Sequence, residues 1–307
     1  MSLRTIANSQ QRQNLLDLQQ TKERMALNQM RITSGKRLTR PGDDPTAAAL
    51  ILDFGTSIKA NNQFVKQADS ALSFLTTTEN VVTSAIDANM RLLELATQGT
   101  AAATAGARSA IISELDGIRA NLLSMANTKS EGKFIFGGTQ TQPTAANPLP
   151  FNDAAPPAPP TYVGNSGTIS LDVTDTTSVV TNIPGDQVFL GAGGPAGSNI
   201  FQAVSDLRAA LVANNVAGVQ TAAGNLRTSL DFLTKVQTDL GGRQSSLFNL
   251  QDMLSSFNVS LQDLQNHQQD TDYPTAMTEL ATDQTIQSAT LSAMARTAKT
   301  NLFDYLA

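Results

Sequence analysis

The stretch LRTSLDFLTKVQTDLGGRQSSLFNLQDMLSSFNVSL, residues 226–261, places a leucine at every seventh position. The apolar seam of a coiled coil repeats every 3.5 residues, so this series supplies one of its two apolar positions. The other position is filled by Val236, Leu250, Phe257 and Leu264. The pattern predicts a long helix over 219–270, although the pair Gly241–Gly242 weakens it.

A second apolar series begins at Ile51 and repeats every seven residues as far as Leu93, with Glu79 as its one polar member. It predicts a long helix over 45–98, and a shorter amphipathic helix is expected over 107–131. The simplest packing is a long antiparallel helical rod, a coiled-coil-like bundle in a mainly α fold. The predicted rod seam consists of Ile58, Val65, Leu72, Ile86, Leu93, Leu233, Leu240, Leu247, Leu254 and Leu261.

The composition changes between these helices. Seven of the twelve prolines fall in 141–160, where a helix cannot continue. The following segment is rich in Thr and Val, with Gly and Pro between short runs, which is typical of strands. We expect a small inserted β domain over 141–195, polar and exposed. The preceding KFIFGGTQTQP, residues 133–143, predicts a hairpin that turns at its two glycines.

Catalytic side chains are few. The chain has no cysteine and one histidine, His267, so thiolate chemistry, His-based triads and multi-His metal sites are excluded. Ser34-Gly35-Lys36 lacks the earlier glycine of a phosphate loop. A formal net charge of −5 disfavours nucleic acid, and no apolar run is long enough for a membrane span. We predict no catalytic residue, no cofactor and no metal site, and therefore no enzyme.

The two ends of the chain have a different pattern. Residues 1–34 look helical, but their apolar side chains lie on two faces, so one partner cannot bury them all. Residues 1–40 carry eight basic and two acidic side chains, whereas 270–307 carry two basic and five acidic ones. Opposite charges favour pairing of the terminal helices. The predicted self-assembly residues are Leu18, Met25, Ile32, Leu280, Leu291, Met294, Leu302 and Tyr305.

The stretch RITSGKRLTRPGDDPTAAAL, residues 31–50, reads as the joint between the first helix and the rod. Gly35 suits the left-handed position that ends a helix, Asp43 or Asp44 suits an N-cap, and Pro45 suits a first helical position. The basic side chains Lys36, Arg37 and Arg40 fit either an acidic neighbour or a solvated loop.

The pattern divides the chain into three domains. The terminal helical assembly domain is 1–42 with 272–307, the rod domain with its hairpin is 43–140 with 196–271, and the β domain is 141–195. The termini would pair with each other, and the β insertion would lie at the tip of the rod.

Two signatures resemble the bacterial flagellin and hook-associated protein family. One is the joint, with Ser34, Gly35, Lys36, Asp43, Asp44 and Pro45. The other is the C-terminal region, with Asp-Thr-Asp-Tyr at 270–273 and Leu-Phe-Asp-Tyr-Leu at 302–306. The resemblance covers roughly 1–140 and 195–307. FIFGGTQTQP at 134–143, TYVGNSG at 161–167 and the ending resemble the hook–filament junction branch of the family.

The resemblance implies a structural subunit at the hook–filament junction, which connects hook to filament for motility. It implies export through the flagellar type III pathway to the extracellular flagellum, without a cleaved signal peptide. The implied partners are other copies of the chain, another hook-associated protein, flagellin and an export chaperone, with no nucleic acid and no membrane insertion. A filament-forming flagellin and a self-contained coiled-coil scaffold are the alternatives.

Overall fold

Long helices carry most of the chain in the computed structural model. The structure describes residues 2–306 except 103, 145–147, 154, 155, 157, 173, 175 and 176, and side chains only between 12 and 296. The helices are α1 (Ser2–Ser34), α2 (Pro45–Ala101), α3 (Ala105–Ala126), α4 (Gly185–Phe189), α5 (Ile200–Val212), α6 (Val216–Gln269) and α7 (Tyr273–Leu306). The predicted mainly α fold, its two long helices and its small β insertion are confirmed.

The hairpin after α3 forms earlier in the chain than predicted. Strands β1 (Lys129–Ser130) and β2 (Lys133–Phe134) pair antiparallel, so the turn is Glu131–Gly132 and not the later pair of glycines. Both turn residues have positive φ, 51° and 78°, as the turn of a two-residue hairpin requires. The strand-paired hairpin therefore turns earlier than predicted, but the chain also turns at Gly137–Gly138, where Gly138 has φ 68° and the N–H of Gln140 donates to the carbonyl of Gly137 at 3.2 Å. α3 ends at Ala126, three residues before β1 and earlier than the predicted 131.

Two further antiparallel pairs follow in the insertion: β3 (Phe151–Asn152) with β4 (Thr161–Tyr162), and β5 (Ser170–Asp172) with β6 (Ser178–Val180). Such short pairs are marginal alone and need packing on a larger core. That core includes Phe151 from β3 and Phe189 from α4, both fully buried, with ring centroids 5.6 Å apart. The expectation of an exposed insertion holds for 161–180, where every described side chain is exposed or half-buried. It is wrong for Phe151, Ile183, Val188 and Phe189, which join the core of the neighbouring helices.

Polar contacts also hold the insertion. The Arg119 guanidinium on α3 lies 2.7 Å from the carboxylate of Asp153. On α6, Arg243 Nη1 donates to the carbonyl of Asn182 at 3.0 Å. The insertion is therefore attached to helices on both sides of it in the sequence.

Helix α5 was not predicted as a separate element. The side chain of Asn199 accepts from the backbone N–H of Gln202 at 3.0 Å and caps its start. A turn after Val212, with Asn214 at φ 51°, separates it from α6. The signal was present in Ile200, Val204, Leu207 and Leu211, all buried, which follow the 3.6-residue period.

The chain forms two compact units, Met1–Ala60 with Ser256–Ala307, and Asn61–Ser255. In the second unit α2 and α6 lie antiparallel, joined by hydrogen bonds from Gln237 to Thr83 (3.0 Å) and from Gln251 to Asp69 (2.7 Å). The division into three domains stays a prediction.

The positions predicted for the rod seam differ in burial between the two helices. Leu233, Leu240, Leu247, Leu254 and Leu261 on α6 are buried. Ile58, Val65, Leu72, Ile86 and Leu93 on α2 are half-buried. The most deeply buried α2 side chains lie on the adjoining face of the helix, at Ala68, Ala71, Leu75, Thr78, Val82, Ala85, Asn89, Leu92, Leu95 and Ala96. Many of these are small, which allows neighbouring helices to approach α2 closely.

Candidate assembly interface

The terminal helices α1 and α7 pack against each other. On α1, buried and half-buried side chains recur at intervals of three and four residues, at Leu18, Thr21, Met25, Asn28 and Ile32. On α7 they recur in the same way at Ala276, Leu280, Asp283, Gln287, Thr290 and Met294. This spacing marks one face of each helix. The two faces form the seam of the terminal pair.

The deepest positions of this seam are polar or small. Thr21, Asn28, Ala276 and Asp283 are each no more than 7% exposed. Asp283 lies 3.5 Å from Arg24 Nη2. Polar groups lose hydration when they are buried, so such a seam gains much less from burial than a leucine seam does.

Large apolar side chains lie on the outside of the same pair, between 40% and 57% exposed. These are Leu15, Leu16, Met30, Met277, Ile286 and Leu291. The pair thus has polar or small side chains at its deepest positions, while several large apolar side chains remain about half exposed. These exposed side chains are available for contact with neighbouring molecules.

The predicted assembly residues divide into three groups. Leu18, Met25, Ile32, Leu280 and Met294 are half-buried positions of the seam. Leu291 is 49% exposed and lies on the outer surface. Leu302 and Tyr305 lie outside the described side chains. The sequence interpretation recognised a second apolar face on α1 but assigned only its heptad stripe to assembly, and not Leu15, Leu16 or Met30.

The joint between α1 and α2 has the predicted local structure. Gly35 has φ +72° and its N–H donates to the carbonyl of Arg31, which ends α1 as expected. The Asp44 carboxylate accepts from the N–H of Ala47 at 3.0 Å and caps α2, which begins at Pro45. The hydrogen bond from the backbone N–H of Arg40 lowers the pKa of the Asp43 carboxyl.

The joint is also bonded to the segment between α6 and α7. The N–H of Arg37 donates to the carbonyl of Gln269 at 2.7 Å, and the N–H of Thr271 donates to the carbonyl of Gly35 at 2.9 Å. Lys36 and Asp270 face each other in this antiparallel bridge. Both connections between the terminal helices and the long helices thus meet at one place.

One of the three basic side chains of the joint has internal partners. Arg37 Nη2 donates to the carbonyl of Gln268 at 3.1 Å, and its Nη1 lies 3.7 Å from the Asp44 carboxylate. Lys36 and Arg40 are exposed. Binding of an acidic neighbour by these two stays a prediction.

A groove of about 660 Å³ runs between α1 and α7. Arg24 and Arg31 lie on the α1 side, and Glu279 and Asp283 lie on the α7 side. No cluster of three or more His, Asp or Glu side chains in the described part of the chain could hold a metal ion. Within that part, no helix has an apolar stretch that could span a membrane. The groove is thus lined by side chains of both charges, with the apolar Leu27 and Ile286 between them.

Family models place this arrangement among known proteins. Residues 6–141 match the bacterial flagellin N-terminal helical region, and residues 223–306 match the flagellin C-terminal helical region. Together the two matches cover more than half of the chain. The chain belongs to the bacterial flagellin and hook-associated protein family. The family resemblance of the two sequence signatures is confirmed.

Curated relatives place the chain near one branch of this family. Flagellar hook-associated protein 3 of Escherichia coli is 28% identical over 71% of this chain and 73% of its own length. The protein of the same name from Salmonella typhimurium is 28% identical over 76% of this chain and 77% of its own length. The resemblance to the junction branch is therefore confirmed.

Solved structures share the fold at lower identity. A putative flagellar hook-associated protein from Vibrio parahaemolyticus has a TM-score of 0.66 at 20% identity, over 74% of this chain and all of that one. The flagellar junction protein FlgL from Legionella pneumophila has a TM-score of 0.56 at 18% identity, over 73% of this chain and all of that one.

Proposed function

We propose that this protein is a structural subunit of the bacterial flagellum at the hook–filament junction, and that it polymerises through its terminal helices. The observation that carries the proposal is that the α1–α7 pair buries polar side chains such as Asn28 and Asp283 while Leu16 and Leu291 stay about half exposed. The names of its relatives favour the junction over the filament.

Polymerisation gives the outer apolar side chains a place to be buried. Covering a fully exposed large apolar side chain gains about 1.5–3 kcal/mol, so each half-exposed one contributes about 1 kcal/mol. Six such side chains in each copy supply enough to offset part of the cost of ordering the ends. The ends then become fully stable only when neighbouring copies surround them.

The partners follow from this role. The chain would contact further copies of itself, another hook-associated protein on the hook side and flagellin on the filament side. It would leave the cell through the flagellar type III pathway without a cleaved signal peptide, with an export chaperone on its C-terminal region, and it would act outside the cell. Its role would be mechanical and not enzymatic.

Seeded assembly tests the proposal. Purified protein is added to isolated hooks that carry the preceding hook-associated protein, flagellin follows, and the ends are viewed by electron microscopy. A short collar that accepts flagellin is expected. Long filaments of the protein alone would instead indicate a flagellin, and bare hook ends would indicate a self-contained scaffold.

Single substitutions identify the surface responsible. Leu16→Asp and Leu291→Asp should abolish the collar, because each places a charge on the outer apolar surface. Gln29→Asp and Thr285→Asp, at exposed positions that point away from Leu16 and Leu291 on the same helices, are the matched controls. If the controls lose the collar to the same extent, the outer apolar surface is not the assembly surface.

A further inference from the structure

Two polar side chains in the helical core of Asn61–Ser255 have no hydrogen-bond partner among the described residues. Asn89 on α2 and Ser229 on α6 are both 0% exposed. The amide nitrogen and the amide oxygen of Asn89 are unpaired there, and so is the hydroxyl group of Ser229. Polar groups that lose their hydration without gaining a partner are costly, so such groups in a native core require an explanation.

The backbone of the helix does not supply the missing partner for Ser229. Thr78 on α2 is also 0% exposed, and its hydroxyl donates to the carbonyl of Phe74, four residues earlier, at 2.9 Å. The Ser229 hydroxyl makes no such bond to the carbonyl of Asn225, which α6 offers at the same spacing. Its hydrogen-bonding capacity is therefore left for a group outside its own helix.

The antiparallel packing of α2 and α6 brings Asn89 and Ser229 to nearly the same level. In two hydrogen bonds between these helices, Gln237 with Thr83 and Gln251 with Asp69, the residue numbers add up to 320. By the same relation, position 231 of α6 lies opposite Asn89. Ser229 is two residues from that position, which is about 3 Å along the helix axis.

Both side chains also face the seam between the two helices. Each belongs to a series of buried positions that repeats every seven residues, as the contact positions of packed helices do. The series on α2 is Ala68, Leu75, Val82, Asn89 and Ala96, and the series on α6 is Ala222, Ser229 and Val236. Level and direction together place the amide and the hydroxyl in the same part of the core.

The neighbouring positions on the two helices are apolar. Leu92 follows Asn89 by three residues, Leu226 and Leu233 flank Ser229 at three and four residues, and all three leucines are 0% exposed. Bulk solvent therefore does not reach the two polar groups.

We propose that Asn89 and Ser229 form a binding site for a buried water molecule between α2 and α6. Water both donates and accepts hydrogen bonds, so one molecule can link the Asn89 amide to the Ser229 hydroxyl. Ala85, one turn before Asn89, is fully buried and carries only a methyl group, which suits a site for so small a ligand. A water bound there exchanges with solvent only when the helices separate.

A double-mutant cycle tests whether the two side chains share a water. Ser229→Ala is made in the full-length parent and in Asn89→Leu, and the midpoint of urea unfolding is measured by circular dichroism. In the parent, loss of the hydroxyl removes one partner of the water and leaves the Asn89 amide less well satisfied, so the midpoint should fall. In Asn89→Leu the site no longer exists, so loss of the hydroxyl should leave the midpoint unchanged or raise it.

Thr78→Val is the matched control. It removes a fully buried hydroxyl that has its own partner in α2, eleven residues and about 16 Å from Asn89 along the helix. It should shift the midpoint equally in the two backgrounds, because distant sites without a shared partner act additively. If Ser229→Ala also shifts the midpoint equally in the two backgrounds, Asn89 and Ser229 are not linked and the proposal is overturned.

Oxygen-17 relaxation dispersion of the solvent gives a second readout that does not depend on stability. It counts the water molecules that a folded protein holds for longer than its own tumbling time. Asn89→Leu should hold one such water fewer than the parent, and Thr78→Val should hold the same number. Equal numbers in the parent and Asn89→Leu would overturn the proposal. Asn89→Val, which is closer to asparagine in size, takes the place of Asn89→Leu if leucine prevents folding.

The water site is independent of the proposed function. Both measurements are made on the free full-length protein and concern the helical core of Asn61–Ser255. A failure of seeded assembly on hooks would therefore not alter either result.

Discussion

The helical core of Asn61–Ser255 and the terminal α1–α7 pair are both built from long helices with side chains spaced at three and four residues. In the core, the inward positions include Leu75 and Leu92, both fully buried. In the terminal pair, the deepest inward positions include Thr21 and Asn28, and Leu16 and Leu291 are about half exposed. The same period thus produces one region with an apolar interior and one whose deepest positions are polar.

The largest effect is expected in the core that the insertion shares with the helices. Phe151→Ala should lower the free energy of unfolding by about 3–5 kcal/mol, because it empties a fully buried aromatic site between Phe189 and Phe201. Denaturant unfolding followed by circular dichroism measures it. Leu149→Ala, at a side chain 40% exposed in the same segment, is the control and should cost much less. Equal losses in the two variants would contradict the burial of the insertion.

Deletion of 145–190 tests the same core on a larger scale. An exposed insertion could be removed without harm, but the burial of Phe151, Ile183, Val188 and Phe189 means that its loss should destabilise the helices. Thermal unfolding measures the effect. A protein without the segment that unfolds at the same temperature as the parent would show that the helical core does not need it.

Leucine truncations compare the two regions directly. Leu92→Ala should lower the free energy of unfolding by about 2–5 kcal/mol, since Leu92 is fully buried. Leu291→Ala, at a side chain 49% exposed, should change it by less than about 0.5 kcal/mol and should weaken only assembly. Similar losses of stability in the two variants would contradict the division between a self-sufficient core and an assembly surface.

A substitution in the seam should make the terminal pair more like the core. Asn28→Leu replaces a side chain only 5% exposed and should stabilise the α1–α7 pair by about 1 kcal/mol. Slower amide hydrogen exchange in α1 and α7 would show it. Gln29→Leu adds the same side chain at an exposed neighbouring position and is the control. If amide exchange in α1 and α7 slows equally in both variants, the effect is not specific to the seam.

The smallest effect concerns Asp43 in the joint. The pKa of its carboxyl is lowered in the folded protein, chiefly by the hydrogen bond from the backbone N–H of Arg40. The ionised carboxylate therefore stabilises the fold at pH values above the ordinary carboxyl pKa near 3.8. That contribution is lost as the pH falls through the lowered pKa. In Asp43→Asn, the unfolding temperature should fall slightly less between neutral and acid pH than it does in the parent protein. An identical pH dependence in the variant would rule this out.

Much of the fold could be predicted from the sequence because the helices and their ends depend on local sequence patterns. The leucine series of α6, the left-handed Gly35 and the cap at Asp44 each depend on a few neighbouring residues. The hairpin turn was misplaced because Glu131–Gly132 is a weaker turn signal than two glycines. The burial of the insertion could not be predicted, since Phe151 finds its partners on Phe189 and Phe201, far along the chain.

The candidate assembly surface shows the same limit. Charge and periodicity predicted that the two ends pair. Because α1 has two apolar faces, its sequence alone does not determine which face contacts α7. The heptad stripe of Leu18, Met25 and Ile32 faces the seam, and Leu15 and Leu16 are left outside.

By itself, the sequence determined that this chain is a mainly helical member of the flagellin and hook-associated protein family, because heptads, caps and signature residues act over short distances. Only the tertiary structure decided which helical faces are covered and that the joint bonds to residues 269–271. Burial and backbone pairing depend on segments from opposite ends of the chain, such as Arg37 and Gln268, 231 residues apart, and no local pattern encodes how they meet.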